Sequence, residues 1–211
     1  SPCLRTLSRK REPDTRIPSA RIAKYNVVAI DCGARLSVIR TLNELGCNVT
    51  VMPYNSTVND VEKMNPDAIL ISEGPGNPED VPEVIALIKA LKGKYPIVGV
   101  GLGHQLVALA YGAKVYKMNC GHHGCNHPIK NLKTNTIRTF AQNHNYAVDP
   151  MSVDATALKV THLDITDDTI EGLCCEEDRV FTVQYHPDTA SSPRGGAGFY
   201  EAFIALMKED K

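Results

Sequence analysis

The sequence of 211 residues has no excess charge of either sign and no long apolar run. Its formal net charge is -1 at pH 7, so composition gives no reason to expect nucleic acid or an anionic membrane surface as a partner. No apolar stretch approaches the roughly 20 residues that a membrane-spanning helix needs. We therefore expect a soluble globular protein with no nucleic-acid partner and no membrane partner.

The cysteines lack the spacing of a disulfide framework. There are seven, an odd number without a regular arrangement, which favours reduced thiols and a cytoplasmic location. Cys32, Cys47, Cys174 and Cys175 lie on or beside predicted strands, where we expect them to be small core residues.

Residues 1–24 differ from the rest of the chain. They are rich in arginine, contain three prolines and show no apolar period. This composition predicts a basic linker or extension. A targeting segment is the alternative, because transit peptides are also rich in arginine and poor in acidic residues. The domain proper is predicted to occupy residues 25–211.

Short apolar runs rich in Val and Ile alternate with helical stretches through the first half of the domain. Such alternation is typical of βαβ units, and it predicts an α/β fold with a mainly parallel sheet flanked by helices. The second half is more strand-like and ends in a helix, which predicts some antiparallel strands. The predicted strands are 26–31, 48–53, 67–72, 96–100, 134–140, 158–162, 170–174 and 180–184, and the predicted helices are 36–45, 58–64, 81–91, 103–111 and 199–207.

Ligands of parallel sheets bind at the carboxyl ends of the strands, so the loops after Ser72, Val100 and Gln184 are the candidate site. The first reads Glu-Gly-Pro-Gly-Asn-Pro over 73–78, a tight turn whose backbone N–H groups can face an anion. By itself it is also compatible with an ordinary strand-to-helix turn.

The loop at 99–105 reads Gly-Val-Gly-Leu-Gly-His-Gln. The pattern G-x-G-x-G between a strand and a helix is the outline of a nucleophile elbow, whose central residue is normally Ser or Cys. A phosphate loop and a structural turn are the other interpretations. The loop at 184–188, Gln-Tyr-His-Pro-Asp, offers His186 as a base with Asp188 as the acid that orients its ring.

In this order, the three loops resemble those of class I, triad-type glutamine amidotransferases. Three further segments are similar to the glutaminase domain of the carbamoyl-phosphate synthetase small chain. They are Gly-Ala-Lys-Val-Tyr-Lys-Met at 112–118, Gly-His-His-Gly-Cys-Asn-His-Pro at 121–128 and Gln-Asn-His-Asn-Tyr-Ala-Val-Asp at 142–149.

The resemblance implies a flavodoxin-like fold and a glutaminase that delivers ammonia from L-glutamine to a large synthetase chain or domain, in pyrimidine and arginine synthesis. It implies no cofactor. The position of the family's cysteine nucleophile is Gly101, and His186 and Asp188 would be the base and its orienting acid. The resemblance assigns the oxyanion and glutamine contacts to Gly74, Gly76, Leu102, Gln105, Asn143, Asn145 and Tyr146.

Four positions depart from the family pattern. Gly101 has no side chain, Asp188 replaces Glu, Glu73 replaces Asn, and Asn145 replaces Gly. Without a nucleophile the acyl-enzyme route is closed. The glycine is either an introduced change or a natural loss of glutaminase activity. Two other functions stay open: a catalytically dead regulatory or binding module that docks on the synthetase, and the glutaminase subunit of another synthetase.

Residues 120–127 contain two cysteines and three histidines: Cys120, His122, His123, Cys125 and His127. Zinc is one interpretation, but the spacing matches no standard finger. The resemblance implies a loop packed near the partner chain. We therefore predict a structural loop and no metal for this segment.

Overall fold

The computed structural model describes residues 23–189 and 196–208. Nine strands of this part form one sheet: β1 Tyr25–Asp31, β2 Cys47–Pro53, β3 Ala68–Ile71, β4 Ile97–Val100, β5 Val115–Asn131, β6 Thr136–Val148, β7 Lys159–Asp164, β8 Ile170–Cys175 and β9 Val180–Val183. The α-helices are α1 Leu36–Glu44, α2 Val58–Glu62, α3 Pro82–Leu91, α4 Leu102–Ala110, α5 Pro150–Val153 and α6 Ala197–Leu206, with 3-10 turns at Pro78–Asp80 and Pro187–Thr189.

The strand order is β2-β1-β3-β4-β9-β8-β7-β5-β6. Strands β2, β1, β3, β4 and β9 pair in parallel, and the remaining neighbours pair antiparallel. The predicted α/β fold, with a mainly parallel first half and antiparallel strands in the second, is confirmed. The carboxyl ends of β3, β4 and β9 meet at one edge, so the three loops singled out in the sequence lie side by side.

Strands β3 and β4, in the middle of the parallel half, are apolar and buried at every position because both of their faces are covered. Along β1, Val28 and Ile30 belong to one core cluster, while Val27 and Ala29 belong to another. The first cluster includes residues of α2, α3 and α4, and the second includes residues of α1 and α6. Burial on both faces is the reason that these strands lack polar alternation.

Helix α4 approaches the end of β3 closely. A Cβ on Gly103 would stand 2.2 Å from the carbonyl oxygen of Ile71 and 3.0 Å from that of Ser72. Only glycine permits this distance, and the contact fixes the start of α4 against the loop that follows β3.

The prediction of a loop at 120–127 is wrong, because these residues lie within β5. The strand pairs with β6 over most of its length, but the register shifts between Lys117 and His122 and again between Gly124 and His127. These irregularities and the half-exposed surface of the strand remove the apolar alternation that would have marked it in the sequence. Strand β6 likewise extends to Val148, beyond its predicted end.

Two further sequence-based expectations concern residues 1–24 and the crossing of a membrane. The predicted linker or targeting segment lies outside the described residues up to residue 22. Within the described ranges, every helix is too short or too polar to cross a bilayer.

The packing of Gly103 leads to a stability prediction. We expect Gly103→Ala to lower the free energy of unfolding by about 1–3 kcal/mol, since its methyl group overlaps the Ile71 carbonyl. Gly198→Ala is the matched control, because nothing lies within 4 Å of its added Cβ, and it should stabilise α6 by about 0.5–1 kcal/mol. Urea denaturation measures both. Equal effects of the two substitutions would contradict close packing at Gly103.

Candidate functional site

A cavity of about 410 Å³ opens at the edge of the sheet where the three loops meet. Strand β6 and the adjoining part of β5 supply its remaining wall. The lining residues are Glu73, Gly74, Pro75, Gly76, Asn77, Asp80, Gly101, Leu102, Gln105, Lys117, Asn143, His144, Asn145, Tyr146, Gln184 and His186.

Gly101 forms a sharp elbow between β4 and α4. Its backbone has φ 56° and ψ -113°, a conformation that a residue with a Cβ adopts only under strain. The Gly101 N–H donates to Val183 O at 2.9 Å, and its carbonyl oxygen accepts from His104 N at 3.1 Å. The elbow is therefore tied to both β9 and α4, and it faces the cavity without a side chain.

The loop at residues 73–76 lies beside this elbow. Helix α4 begins at Leu102, so the positive end of its dipole is directed towards the cavity. Ser72 Oγ accepts from Cys32 N at 2.9 Å and donates to Glu73 O at 2.8 Å, which holds the loop against the end of β1. Backbone donors at a helix start next to a glycine-rich turn are suited to an oxyanion or a carboxylate.

His186 lies at the cavity wall. Burial lowers the pKa of His186, the nearby Arg35 charge lowers it further, and Asp188 opposes both. The Asp188 carboxylate accepts a hydrogen bond from Ser37 Oγ, and its Oδ2 atom lies 3.1 Å from Arg35 Nε. The predicted orienting acid is thus held by two groups of the loop and helix that follow β1.

Glu73 is a buried carboxyl group at the cavity wall. Its Oε1 atom is 3.8 Å from Arg35 Nε and accepts no hydrogen bond. Burial raises the pKa of Glu73 to about 7, and the negative charge of Asp188 contributes in the same direction, while Arg35 opposes it. The guanidinium of Arg35 is therefore shared by two acidic groups. It lies farther from Glu73 than from Asp188, so the negative charge of Glu73 is the less well neutralised.

Strand β6 forms the opposite wall. His123, in the neighbouring β5, bridges Asn143 Oδ1 and Asn145 Oδ1, at 3.0 Å from each. The Gln105 side-chain amide donates to Tyr146 O and to Gln184 Oε1, both at 2.8 Å. Its two amide protons are thus used within the protein, so Gln105 positions the wall and offers a ligand only its oxygen.

The structure brings most of the predicted site residues to one cavity. Nine of them line it: Gly101, His186, Gly74, Gly76, Leu102, Gln105, Asn143, Asn145 and Tyr146. Asp188 is outside the lining, and its link to His186 is the negative charge that raises the pKa of that ring. Sequence reasoning missed Arg35 and Ser37, which partner Asp188. The sequence contains one indication of these two residues. They follow the carboxyl end of β1, which lies at the same edge of the sheet as the ends of β3, β4 and β9.

The chain is similar to known proteins in both sequence and fold. Residues 28–206 match the family model described as glutamine amidotransferase class-I. The chain is 45% identical over 181 residues to the carbamoyl phosphate synthase small chain of Listeria innocua, covering 86% of this chain and 50% of that protein. It is 43% identical over 187 residues to the protein of the same description from Bacillus cereus, covering 89% and 51%. The chain thus spans about half the length of these curated relatives.

Two solved structures share the fold. One is a putative GMP synthase component from Thermoplasma acidophilum, with a TM-score of 0.72 and 20% identity, covering 88% of this chain and 94% of that one. The other is a glutamine amidotransferase from Thermotoga maritima, with a TM-score of 0.63 and 16% identity, covering 88% and 85%. At these identities the likeness shows the fold alone.

The buried carboxyl of Glu73 leads to a pH-dependent stability prediction. With its folded-state pKa raised from 4.5 to about 7, the folded protein holds a proton that the unfolded chain releases, so stability falls as pH rises through this window. We expect Glu73→Gln to change stability little at pH 4 and to raise it by on the order of 1–3 kcal/mol at pH 8.

Urea denaturation at the two pH values measures this effect. Glu79→Gln, an exposed change in the neighbouring 3-10 turn, is the control and should stay within about 0.5 kcal/mol at both. Destabilisation by Glu73→Gln at pH 8 would show instead that Arg35 holds an ionised Glu73.

Proposed function

The chain belongs to the class-I glutamine amidotransferase family, and from this premise we propose that it binds L-glutamine in the cavity at the elbow without hydrolysing it. We propose further that it serves a large synthetase chain or domain of the carbamoyl-phosphate type, as its resemblance to the small chains suggests. The observation that carries the first proposal is Gly101, an elbow residue with the backbone of a nucleophile position and no nucleophilic atom.

The remaining parts of the site suit an amino acid with an amide side chain. The Leu102 N–H and the turn at Gly74 offer donors to an amide oxygen near the elbow. Lys117 and Asp80 give the lining both signs of charge, as recognition of an α-carboxylate and an α-ammonium requires.

The missing step is formation of the acyl-enzyme. In the family, a cysteine thiolate attacks the amide carbon, ammonia leaves with a proton from the histidine, and water then releases glutamate from the thioester. Here His186 has no thiol to deprotonate at position 101. The lining that the described residues form contains no cysteine, so we expect the amide to remain intact.

Two charged groups support natural decay of the reaction over a single introduced change. Asp188 is engaged by Ser37 and Arg35, and Glu73 places a second acid at the elbow. A Cβ on Gly101 would lie 3.0 Å from Glu73 Cβ, so Glu73 is the residue that a restored side chain would contact most closely. Both features would hinder a thiolate even where one was present.

The second candidate function is a module that docks on the synthetase without binding glutamine. The carboxyl of Glu73 favours it, because an ionised acid beside the loop at 73–76 repels the partial negative charge on the amide oxygen of a bound glutamine. Glutamine binding distinguishes the two candidates.

Restoring the thiol tests the role of Gly101. We expect no ammonia release from glutamine by the unchanged chain, because loss of a nucleophile costs about 10⁴-fold or more. Gly101→Cys should be alkylated by a glutamine-like chloroketone but turn over slowly, since the acid at Glu73 raises the pKa of the new thiol. Adding Glu73→Asn, and separately Asp188→Glu, should increase turnover.

Gly101→Ala is the matched control for this series, because it introduces the same Cβ without sulfur. It should show neither alkylation nor ammonia release. Robust turnover by the unchanged chain would refute the proposal and point to another nucleophile. Full family-like activity of Gly101→Cys alone would refute natural decay.

Glutamine binding is a separate prediction. Calorimetry with the unchanged chain should give a binding heat at millimolar glutamine, since most contacts of the cavity need no thiol. Asn143→Ala, in the lining, should weaken binding by about 1–3 kcal/mol, while Asn126→Ala, exposed on β5 and outside the lining, should leave it unchanged. Absence of heat would favour the docking module.

A further inference from the structure

A second cluster of polar side chains lies outside the cavity lining except for His144. It draws one residue from each of the four antiparallel strands: His122 from β5, His144 from β6, Asp164 from β7 and Glu171 from β8. Asp164 and Glu171 are fully buried, and the two histidines are more than nine-tenths buried. Every ion pair that the described residues give these two carboxylates has a histidine as the partner.

Three atoms of this cluster face one another without a hydrogen bond. Glu171 Oε1 lies 3.6 Å from His122 Nδ1 and 3.7 Å from His144 Nε2. These three buried atoms have no hydrogen-bond partner. The separations are too long for hydrogen bonds, whose N···O distances are about 2.7–3.2 Å. Leaving three such groups unsatisfied in the interior would be costly.

Each histidine has an outer partner, which is the group hydrogen-bonded to the ring nitrogen directed away from Glu171. These partners determine which ring nitrogens carry lone pairs. His144 Nδ1 lies 2.8 Å from Tyr146 O, and because a carbonyl oxygen only accepts, Nδ1 holds the proton and Nε2 the lone pair. His122 Nε2 donates to Asp167 Oδ2 at 2.9 Å, which leaves the lone pair of the neutral ring on Nδ1. Both lone pairs are therefore directed at a carboxylate oxygen.

We propose that this cluster binds a divalent transition-metal cation, for which Zn²⁺ is the best fit, through His122 Nδ1, His144 Nε2 and Glu171 Oε1. Imidazole nitrogens and carboxylate oxygens are ligands that zinc takes, and a ring nitrogen whose other N–H is fixed by a carboxylate or a carbonyl is typical of metal sites. The carboxylates of Glu171 and the adjacent Asp164, together with two neutral histidines, would balance the charge of the ion.

The distances agree with three protein ligands around one ion. Donor atoms 2.0–2.1 Å from a tetrahedral zinc are about 3.3–3.4 Å apart, so the separations of 3.6 and 3.7 Å need to contract by only a few tenths of an ångström. Asp164 Oδ2 lies 3.9 Å from His122 Nδ1 and is held by His127 Nδ1 at 3.1 Å, so Asp164 adds negative charge beside the three ligands. Glu171 Oε2 accepts from Gln142, so all three ligands have an outer partner.

An imidazolium at His122 is the competing explanation. The carboxylates of Glu171 and Asp167 flank the His122 ring, so a second proton on its ring is compatible with the surroundings. That proton would satisfy His122 Nδ1 and Glu171, but it would leave His144 Nε2 unpaired.

The spacing of residues 120–127 predicted no metal for this segment, and the proposed site departs from that prediction at His122 alone. Cys120 and Cys125 are exposed and take no part. Local spacing could not reveal a set of ligands that three strands assemble.

Zinc titration of the full chain, purified with a chelator and then dialysed, tests the proposal. Calorimetry should give one Zn²⁺ per chain, and the added metal should raise Tm by at least about 3 °C. Co²⁺ should give the visible absorption of a tetrahedral site without the near-ultraviolet bands of thiolate ligands. Glu171→Gln should weaken zinc binding at least tenfold.

Two further variants keep the test decisive. Asp167→Asn changes a partly exposed outer partner, is compatible with folding even where Glu171→Gln is not, and should weaken zinc binding ten- to a hundredfold. Cys120→Ser with Cys125→Ser should leave binding unchanged. The proposal is overturned by no binding at 100-fold molar excess of zinc, which would favour the imidazolium, or by binding that disappears with the two cysteines.

Discussion

The close approach of α4 to the carboxyl end of β3 is the constraint on which the cavity depends. Gly103 lets the helix start against the carbonyl groups of Ile71 and Ser72, and Gly101 turns the chain from β4 into that helix. The loop at 73–76 and the helix start are thereby placed side by side. Glycine is the residue that the backbone at position 101 accepts with least strain, so the elbow keeps its shape without a side chain there.

The charged groups near the elbow are close together because several loops meet at the same edge of the sheet. Glu73 and Asp188 come from different loops, yet both reach Arg35 because the carboxyl ends of β1, β3 and β9 share one edge of the sheet. One guanidinium between two buried acids leaves one of them poorly compensated. Glu73, Asp188 and Arg35 therefore form a single electrostatic unit, in which a change at one position alters the charge balance of the other two.

The sequence was sufficient for the parallel half of the fold, since short apolar strands and periodic helices indicate βαβ units. It was also sufficient for the loops at 73–78, 99–105 and 184–188, because their order and type resemble a known family. It was insufficient for β5, whose two register shifts and exposed surface leave no periodic signal. It could not reveal Arg35 beside Asp188, or His122 beside Glu171, because such contacts depend on register between strands far apart in the chain.

The position of β9 between β4 and β8 also has a consequence for how the molecule folds. One neighbour of β4 in the sheet is β9, which begins some 80 residues after β4 ends. The four antiparallel strands β5 to β8 lie between them in the sequence. The hydrogen bond from Gly101 to Val183 therefore closes a very long loop, and pairings of this kind are entropically expensive and form late. A nascent chain that ends before β9 has the elbow sequence but not the bond that holds it, so the elbow is tied in place only when nearly the whole domain has been synthesised.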